Sequence, residues 1–341
     1  MKLPKSARIA SLAIVAVLAV VLTGCSSGKQ QAAESPGQIA KKTGVIKITY
    51  IQKQGDQQYF VEEAEGAKAE AKRLGNVEVT MVNVGTDSNA AITAVNTAIA
   101  QGAHGVAIVV PDAKIGPQVA SALDKAGIPY VASDDPFKKA DGTAAPWVSI
   151  DSLTMGQQIG EKVGELYKAA SWDAADTRII SVKQEDQQVC QERETGQLDK
   201  FKAAAGTLPS VVKVGTNNSF PAALSQTGAA ITANQGVKNW VVVGCNDEGV
   251  TGSVKALQNS GVSANNIIGV GLGAYLACKD WNAGTDTGNK AALYIDGRVD
   301  GAASVRVLVE SLRNGTPLPA QTLGKAVMVD ATNWKESMTC S

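Results

Sequence analysis

The sequence predicts an α/β protein made of two doubly wound, Rossmann-like lobes facing each other across a central cleft. Three observations lead there. Short β-branched runs alternate with amphipathic helical patterns along nearly the whole chain, the cadence of parallel sheets covered on both faces. That cadence starts afresh after Ile150, with no Pro- or Ser-rich linker between the halves. Charged and amide residues gather at the carboxyl ends of the strand-like runs, which is where open α/β sheets bind ligands.

In the first half, Ile46–Gln52 reads as a strand. Tyr59–Leu74 then reads as a helix, with Val61, Ala64, Ala67, Ala71 and Leu74 at helical spacing. Val77–Val84 is the next strand. Thr86 or Asp87 caps a helix running through Gln101, whose Ala91, Ile92, Val95, Ala98 and Ile99 share one face. Strand Gly105–Val110, helix Ile115–Ala126 with Asp112 as its cap, strand Tyr130–Ser133 and the extended run Trp147–Ile150 complete the half. The second half repeats the pattern. Its strands are Ile179–Val182, Val211–Val214, Trp240–Gly244, Ile267–Gly271, Ala291–Ile295 and Ala326–Val329. Its helices are Leu153–Lys168, Gln191–Ala205, Phe220–Asn234, Glu248–Asn259 and Val299–Asn314. In the last helix, Val299, Ala302, Ala303, Val305, Arg306 and Val309 read as core plus rim.

The chain of 341 residues is too long for one ordinary core. Its first 24 residues read as a signal peptide: Lys2, Lys5 and Arg8 precede the apolar run Ile9–Val21, which is too short for a membrane span. Leu22-Thr23-Gly24-Cys25 resembles a bacterial lipoprotein box, which implies cleavage before Cys25, its lipidation, and anchoring to the cell membrane. Ser26–Gly44 is small and polar and reads as a flexible tether. The 32 Lys+Arg balance 32 Asp+Glu, and loss of the basic leader leaves a slightly acidic chain, so nothing favours nucleic acid. Cys190, Cys245, Cys278 and Cys340 form no Cys-x-x-Cys pair and the only histidine, His104, is isolated, which argues against a zinc site. An extracytoplasmic location permits disulfides in three pairings; Cys278–Cys340 is the favoured bridge, with free thiols as the alternative.

The strand ends carry the chemistry. Lys53-Gln54-Gly55-Asp56-Gln57-Gln58-Tyr59-Phe60 follows the first strand, Pro111-Asp112 the third and Asp134-Asp135 the fourth. In the second half, Gln184 to Arg193 and Cys245-Asn246-Asp247 occupy equivalent places. Ammonium, amide, carboxylate and guanidinium groups match the hydroxyls of a sugar, and an aromatic face covers its C–H patch. Asp134-Asp135 before Pro136 also suits a turn, and Asp247 with Glu248 suits a helix cap and first turn.

These stretches, with Ala113-Lys114-Ile115-Gly116, Phe137, Thr195-Gly196, Val243-Gly244 and Ile267-Ile268-Gly269-Val270-Gly271, recur in order in one family. From Ile46 to the C-terminus the chain resembles the type I periplasmic binding proteins of the ribose, galactose and arabinose type, the arabinose branch most of all. The resemblance implies two lobes, 45–150 plus 296–325 and 151–295 plus 326–341, joined by three crossings near Ile150, Ile295 and Lys325. It implies a monomeric receptor that closes on a monosaccharide and passes it to the permease of an ABC importer, with no cofactor. It assigns sugar contacts to Lys53, Gln57, Tyr59, Phe60, Asp134, Asp135, Arg193 and Asn246. The chain departs from the arabinose branch where Gly273 and Leu276 replace an asparagine and an aspartate, Gln57 a glutamate and Tyr59 a tryptophan. A sugar-sensing receptor uses the same fold and is the alternative. A glycosidase needs two carboxylates flanking a bond, which the adjacent Asp134 and Asp135 cannot do, and a Walker A motif is missing. A sugar-responsive repressor carries an N-terminal DNA-binding segment where this chain has the leader.

Overall fold

The strand–helix cadence resolves into two separate sheets in the computed structural model, which describes residues 39–340. The leader, Cys25 and most of the tether lie outside the described residues. In chain order the first half forms β1 (Ile46–Gln52), α1 (Gln58–Leu74), β2 (Val77–Asn83), α2 (Ser88–Ala100), β3 (Gly105–Ile108), α3 (Gly116–Ala126), β4 (Tyr130–Ser133) and β5 (Trp147–Ser149). The second half forms α4 (Ser152–Ala170), β6 (Thr177–Lys183), α5 (Gln188–Ala205), β7 (Ser210–Gly215), α6 (Phe220–Ala233) and β8 (Asn239–Gly244). It continues with α7 (Asp247–Asn259), β9 (Ile267–Leu272), α8 (Ala277–Asn282) and β10 (Asn289–Ile295), and the chain ends with α9 (Gly297–Asn314), β11 (Gln321–Leu323) and β12 (Ala326–Asp330).

One sheet has the order β11-β5-β4-β3-β1-β2 and the other β12-β10-β9-β8-β6-β7. The strand pairs are parallel except β10–β12. The chain therefore passes from sheet to sheet three times, after β5, after β10 and after β11. Both faces of each sheet are covered, so alternate residues of one strand enter different cores. Ile48 and Tyr50 pack with Leu308 of α9 on one side, whereas Ile51 packs with Val119 and Leu123 of α3 on the other. In the second sheet Ile179 and Val241 face one core and Ile180 and Val242 the opposite one.

Each lobe carries one helix pair packed backbone to backbone. In α1 and α9, a Cβ on Gly66 would strike the Arg298 carbonyl, and one on Gly301 the Glu63 carbonyl. In α4 and α5, a Cβ on Gly156 would strike the Arg193 carbonyl, and one on Gly196 would lie 2.5 Å from the Leu153 carbonyl.

Several details depart from the sequence reading. The buried face of α1 is Phe60, Glu62, Glu63, Gly66, Ala67, Glu70 and Ala71; it keeps Ala67 and Ala71 of the expected stripe but leaves Val61, Ala64 and Leu74 half-buried, because three glutamates find partners there. Glu62 meets Arg298 at 2.7 Å, Glu70 meets Arg73 at 2.7 Å, and Glu63 accepts from Ser133. Val299 of α9 is 46% exposed, while Asp300 beside it is buried. Asp112 caps the short 3-10 turn Ala113–Ile115 ahead of α3, and Asp87 rather than Thr86 caps α2. The last residues of the expected tether are docked: Ile39 packs on the α9 core and Lys42 N donates to Leu312 O at 2.8 Å. α8 and β11 were not anticipated; six and three residues are too short to show a period. Cys278–Cys340 is bridged, and so is Cys190–Cys245.

Candidate ligand-binding site

The carboxyl ends of both sheets meet over a cavity of about 630 Å³, its open mouth included. The first lobe supplies Lys53, Gln54, Gln57, Tyr59, Phe60 and Asp134. The second supplies Gln187, Val189, Arg193, Asn218, Cys245, Asn246, Asp247, Glu248, Leu272, Gly273, Tyr275 and Ile295.

On the first lobe, Gln57 N donates to Gln54 O at 2.8 Å, and this turn carries the chain from β1 into α1. Tyr59 and Phe60, in the first turn of α1, stack edge to face with centroids 5.1 Å apart. The buried Lys53 ammonium lies 5.9 Å from the Phe60 centroid and is paired with the buried carboxylate of Asp135. Asp134 has a left-handed backbone with φ of 63°, a conformation that aspartate tolerates better than most residues and that turns its side chain away from its neighbour's. The turn is fixed by the Trp147 indole, which donates to Asp134 O at 2.9 Å.

Beneath the cavity floor lies an acidic network. The Tyr59 hydroxyl sits 3.2 Å from Asp134 Oδ1 and 3.0 Å from Asp300 Oδ2, and Ser149 Oγ is 3.3 Å from the same Asp300 oxygen. Ser133 Oγ donates to Glu63 at 2.8 Å and lies 2.6 Å from the Tyr50 hydroxyl. Burial, then the Asp135 charge, push Asp134 up to about 6, although Lys53 and Arg193 pull it back. Burial and the charge of Asp134 push Asp300 up to about 7, and the same two causes raise Glu63. Ionised carboxylates this deep are costly even with hydrogen bonds, so each holds its proton to a higher pH than an exposed carboxyl does.

On the second lobe, α5 begins at Gln188, so Arg193 lies in the helix's second turn rather than at its start. Its guanidinium donates to Cys245 O at 3.0 Å, and its buried Nε has no partner. Asn246 caps α7, accepting from Gly249 N at 3.0 Å, and its amide donates to Asn218 O at 2.8 Å. Asn218, at φ 61°, accepts from Gln184 N at 3.0 Å and donates to Gln187 Oε1 at 3.2 Å. Asp247 accepts from Leu276 N at 2.5 Å; burial, then Glu248, push its carboxyl up to about 8. Leu272, Tyr275 and Ile295 make an apolar corner against Tyr59, with the Tyr275 hydroxyl spent on Ile295 O at 2.7 Å. Two hydrogen bonds cross the cleft: Gln57 to Asn218 O at 3.4 Å and Gln187 to Pro111 O at 3.5 Å.

Of the residues singled out in the sequence, Lys53, Gln57, Tyr59, Phe60, Asp134, Arg193 and Asn246 come together around the cavity. Asp135 does not line it; its carboxylate is turned to Lys53. Both Tyr59 and Phe60 reach the cavity, although neighbours on a helix point in different directions. Gln187 and Asp247 belong to the strand-end stretches singled out in the sequence but were assigned no contact, and Asn218 and Tyr275 were missed. Asn218 follows β7, so the strand-end rule that found the others reaches it too. Among the described residues there is no group of His, Cys, Asp and Glu arranged to hold a metal, and no helix is long and apolar enough to cross a membrane.

A family model described as "periplasmic binding protein domain" matches residues 48–316. The L-arabinose-binding periplasmic protein of Escherichia coli (strain K12) is 26% identical over 298 residues, covering 86% of this chain and 90% of that protein. Among solved structures, an ABC transporter solute-binding protein from Mycobacterium smegmatis with bound glycerol superposes with a TM-score of 0.74 at 21% identity, covering 87% of this chain and 98% of that one. One from Bacillus halodurans with bound myo-inositol gives 0.73 at 18% identity, covering 86% and 98%.

Proposed function

The chain belongs to the periplasmic binding protein domain family, and from that premise we propose that it binds a monosaccharide between its lobes and delivers it to an ABC importer. One observation carries the reading. Two facing sets of hydrogen-bonding groups, Lys53, Gln57 and Asp134 on one lobe and Arg193, Asn218 and Asn246 on the other, close over an aromatic pair. Hydroxyls satisfy such groups from both sides, and Tyr59 with Phe60 covers a ring face. Arg193 offers a planar fork to two neighbouring oxygens, and its unpartnered Nε is one free donor. Lys53 is aimed by Asp135, which makes Asp135 a support of the site. The relatives' bound or named ligands, an arabinose, an inositol and a glycerol, are all polyhydroxylated.

The apolar corner of Leu272, Gly273, Tyr275 and Ile295 leaves no side-chain donor where the arabinose branch has two polar residues. The preferred ligand presents a C–H or methyl edge there, because a hydroxyl buried without a partner is costly. We assign the lobes to 45–150 plus 296–325 and 151–295 plus 326–341, hinged at the three passages between the sheets. We read the protein as a monomeric receptor without catalytic or cofactor chemistry. Leu22-Thr23-Gly24-Cys25 supports a lipid anchor on Cys25 and hence an extracytoplasmic position at the cell membrane.

The test is a melting-temperature screen against pentoses, hexoses, deoxysugars and polyols. Ligand at a hundred times its dissociation constant adds about 2.7 kcal/mol, enough to move the transition visibly. A response to one or two related sugars is expected. Silence across the panel overturns the monosaccharide assignment.

A further inference from the structure

The two disulfides close loops of nearly equal length, 55 and 62 residues apart in sequence, yet they lie in different surroundings. Cys278 belongs to an apolar cluster with Tyr275, Trp281, Tyr294 and Trp334, against which Cys340 and Tyr59 pack; this cluster meets the cavity through the rings of Tyr275 and Tyr59 and holds none of the second lobe's free polar groups. Cys190 and Cys245 are buried in a cluster whose only other member is Val189. Three small side chains hold little on their own. The bond between the sulfurs therefore fastens the start of α5 to the end of β8.

That junction is where the second lobe's polar groups originate. Cys190 and Arg193 are three residues apart on α5 and share a face. The Arg193 guanidinium returns to Cys245 O at 3.0 Å, so side chain and disulfide close one ring through the same two elements. Asn246 is the next residue after Cys245, and its amide reaches Asn218 O at 2.8 Å. Asn218 Nδ2 in turn lies 3.5 Å from Cys190 Sγ and bonds Gln187 at 3.2 Å. Arg193, Asn218 and Asn246 are thus each one bond or one residue from the cystine.

We propose that the Cys190–Cys245 disulfide is a positioning element of the ligand site, holding Arg193, Asn218 and Asn246 in register, whereas Cys278–Cys340 braces the apolar cluster behind the cavity and positions none of its polar groups. The proposal rests on the reading of the cleft as a sugar site. Affinity from several hydrogen bonds to one small ring depends on their being held in place before the ligand arrives. Without the crosslink α5 and β8 keep their helix and sheet bonds but lose their common reference point. The stability lost with either disulfide is similar, because the loops released are similar. The loss of affinity is not.

The experiment compares the double variants Cys190→Ala/Cys245→Ala and Cys278→Ala/Cys340→Ala with the oxidised protein. L-arabinose, D-glucose and myo-inositol serve as probes in calorimetry, and hydrogen exchange is followed without ligand. The expected result is a comparable fall in melting temperature for both variants. Sugar affinity weakens at least about tenfold only in the first. Faster exchange in 187–193 and 245–249 is likewise expected only there. Asn218→Ala should then weaken binding less in the Cys190→Ala/Cys245→Ala background than in the oxidised protein, since both act through one network. Equal affinities in the two double variants, or unchanged exchange in both cleft segments, overturn the positioning role. Failure of the intact protein to bind any of the probes or the wider panel counts against the sugar reading instead, and the exchange data still decide the role of the disulfide.

Discussion

Replacing Asp300 with asparagine should make the protein more stable at alkaline pH, although it removes a hydrogen-bonded carboxylate from the interior. Asp300 is buried, with Oδ2 receiving Tyr59 and Ser149 and Oδ1 without a partner. Its carboxyl is pushed up to about 7 from an ordinary value of 3.8. The folded state therefore keeps a proton that the unfolded state releases. The stabilisation linked to that proton is fully present below about pH 4 and disappears as pH rises toward 7. The interval is about three pH units, which at 1.36 kcal/mol each amounts to about 4 kcal/mol. Asparagine presents the same acceptor to Tyr59 and Ser149 and cannot ionise. Asp300→Asn should match the parent near pH 4 and exceed it by up to about 4 kcal/mol near pH 8. Urea midpoints for both proteins across that range measure the difference. Parallel pH profiles would refute the reasoning, since they would mean that Asp300 titrates alike in both states.

Other expectations follow from the same geometry. Arg193→Ala and Asp134→Ala each remove a charged partner from the ligand, at about 1.5–3 kcal/mol, or roughly ten- to a hundredfold in affinity, with helical content unchanged by circular dichroism. Gly156→Ala drives a methyl group into the Arg193 carbonyl, so it should lower stability by about 1–3 kcal/mol and weaken sugar binding as α5 moves. Gly228→Ala on α6, where an added Cβ meets nothing within 4 Å, should instead stabilise by about 0.5–1 kcal/mol and leave binding unchanged.

The parts of the fold that were legible are those written in period. β8 holds the continuous apolar run Trp240–Val243 because both of its faces are covered, β1 is rich in β-branched residues, and α2 shows its stripe because its buried face is alanine and valine. The α1 face was legible only at Ala67 and Ala71, because the rest of the burial there is satisfied by paired glutamates and a glycine. A glutamate on a helix looks solvated until the arginine of another element is known, and Arg298 lies more than two hundred residues away in sequence. Asp300 was hidden for the same reason, since its partners Tyr59 and Ser149 come from α1 and β5. The site was legible where chemistry sits at strand ends, as at Lys53, Asp134 and Asn246. What the residue order did not disclose is the division of labour within Asp134-Asp135. A left-handed backbone at Asp134 sends one carboxylate to Tyr59 and the other to Lys53.

The glycine seams in α1–α9 and α4–α5 have a mechanical consequence. Two backbones in contact have no rotamers between them to absorb a displacement, so each pair moves as a beam rather than a cushion. Tyr59 stands at the inner end of one beam, and Arg193 near the inner end of the other. A small shift imposed at those ends would be carried along each helix, because little inside the glycine contacts can take it up. A displacement at either wall of the cavity would then be shared by two helices at once and not by one.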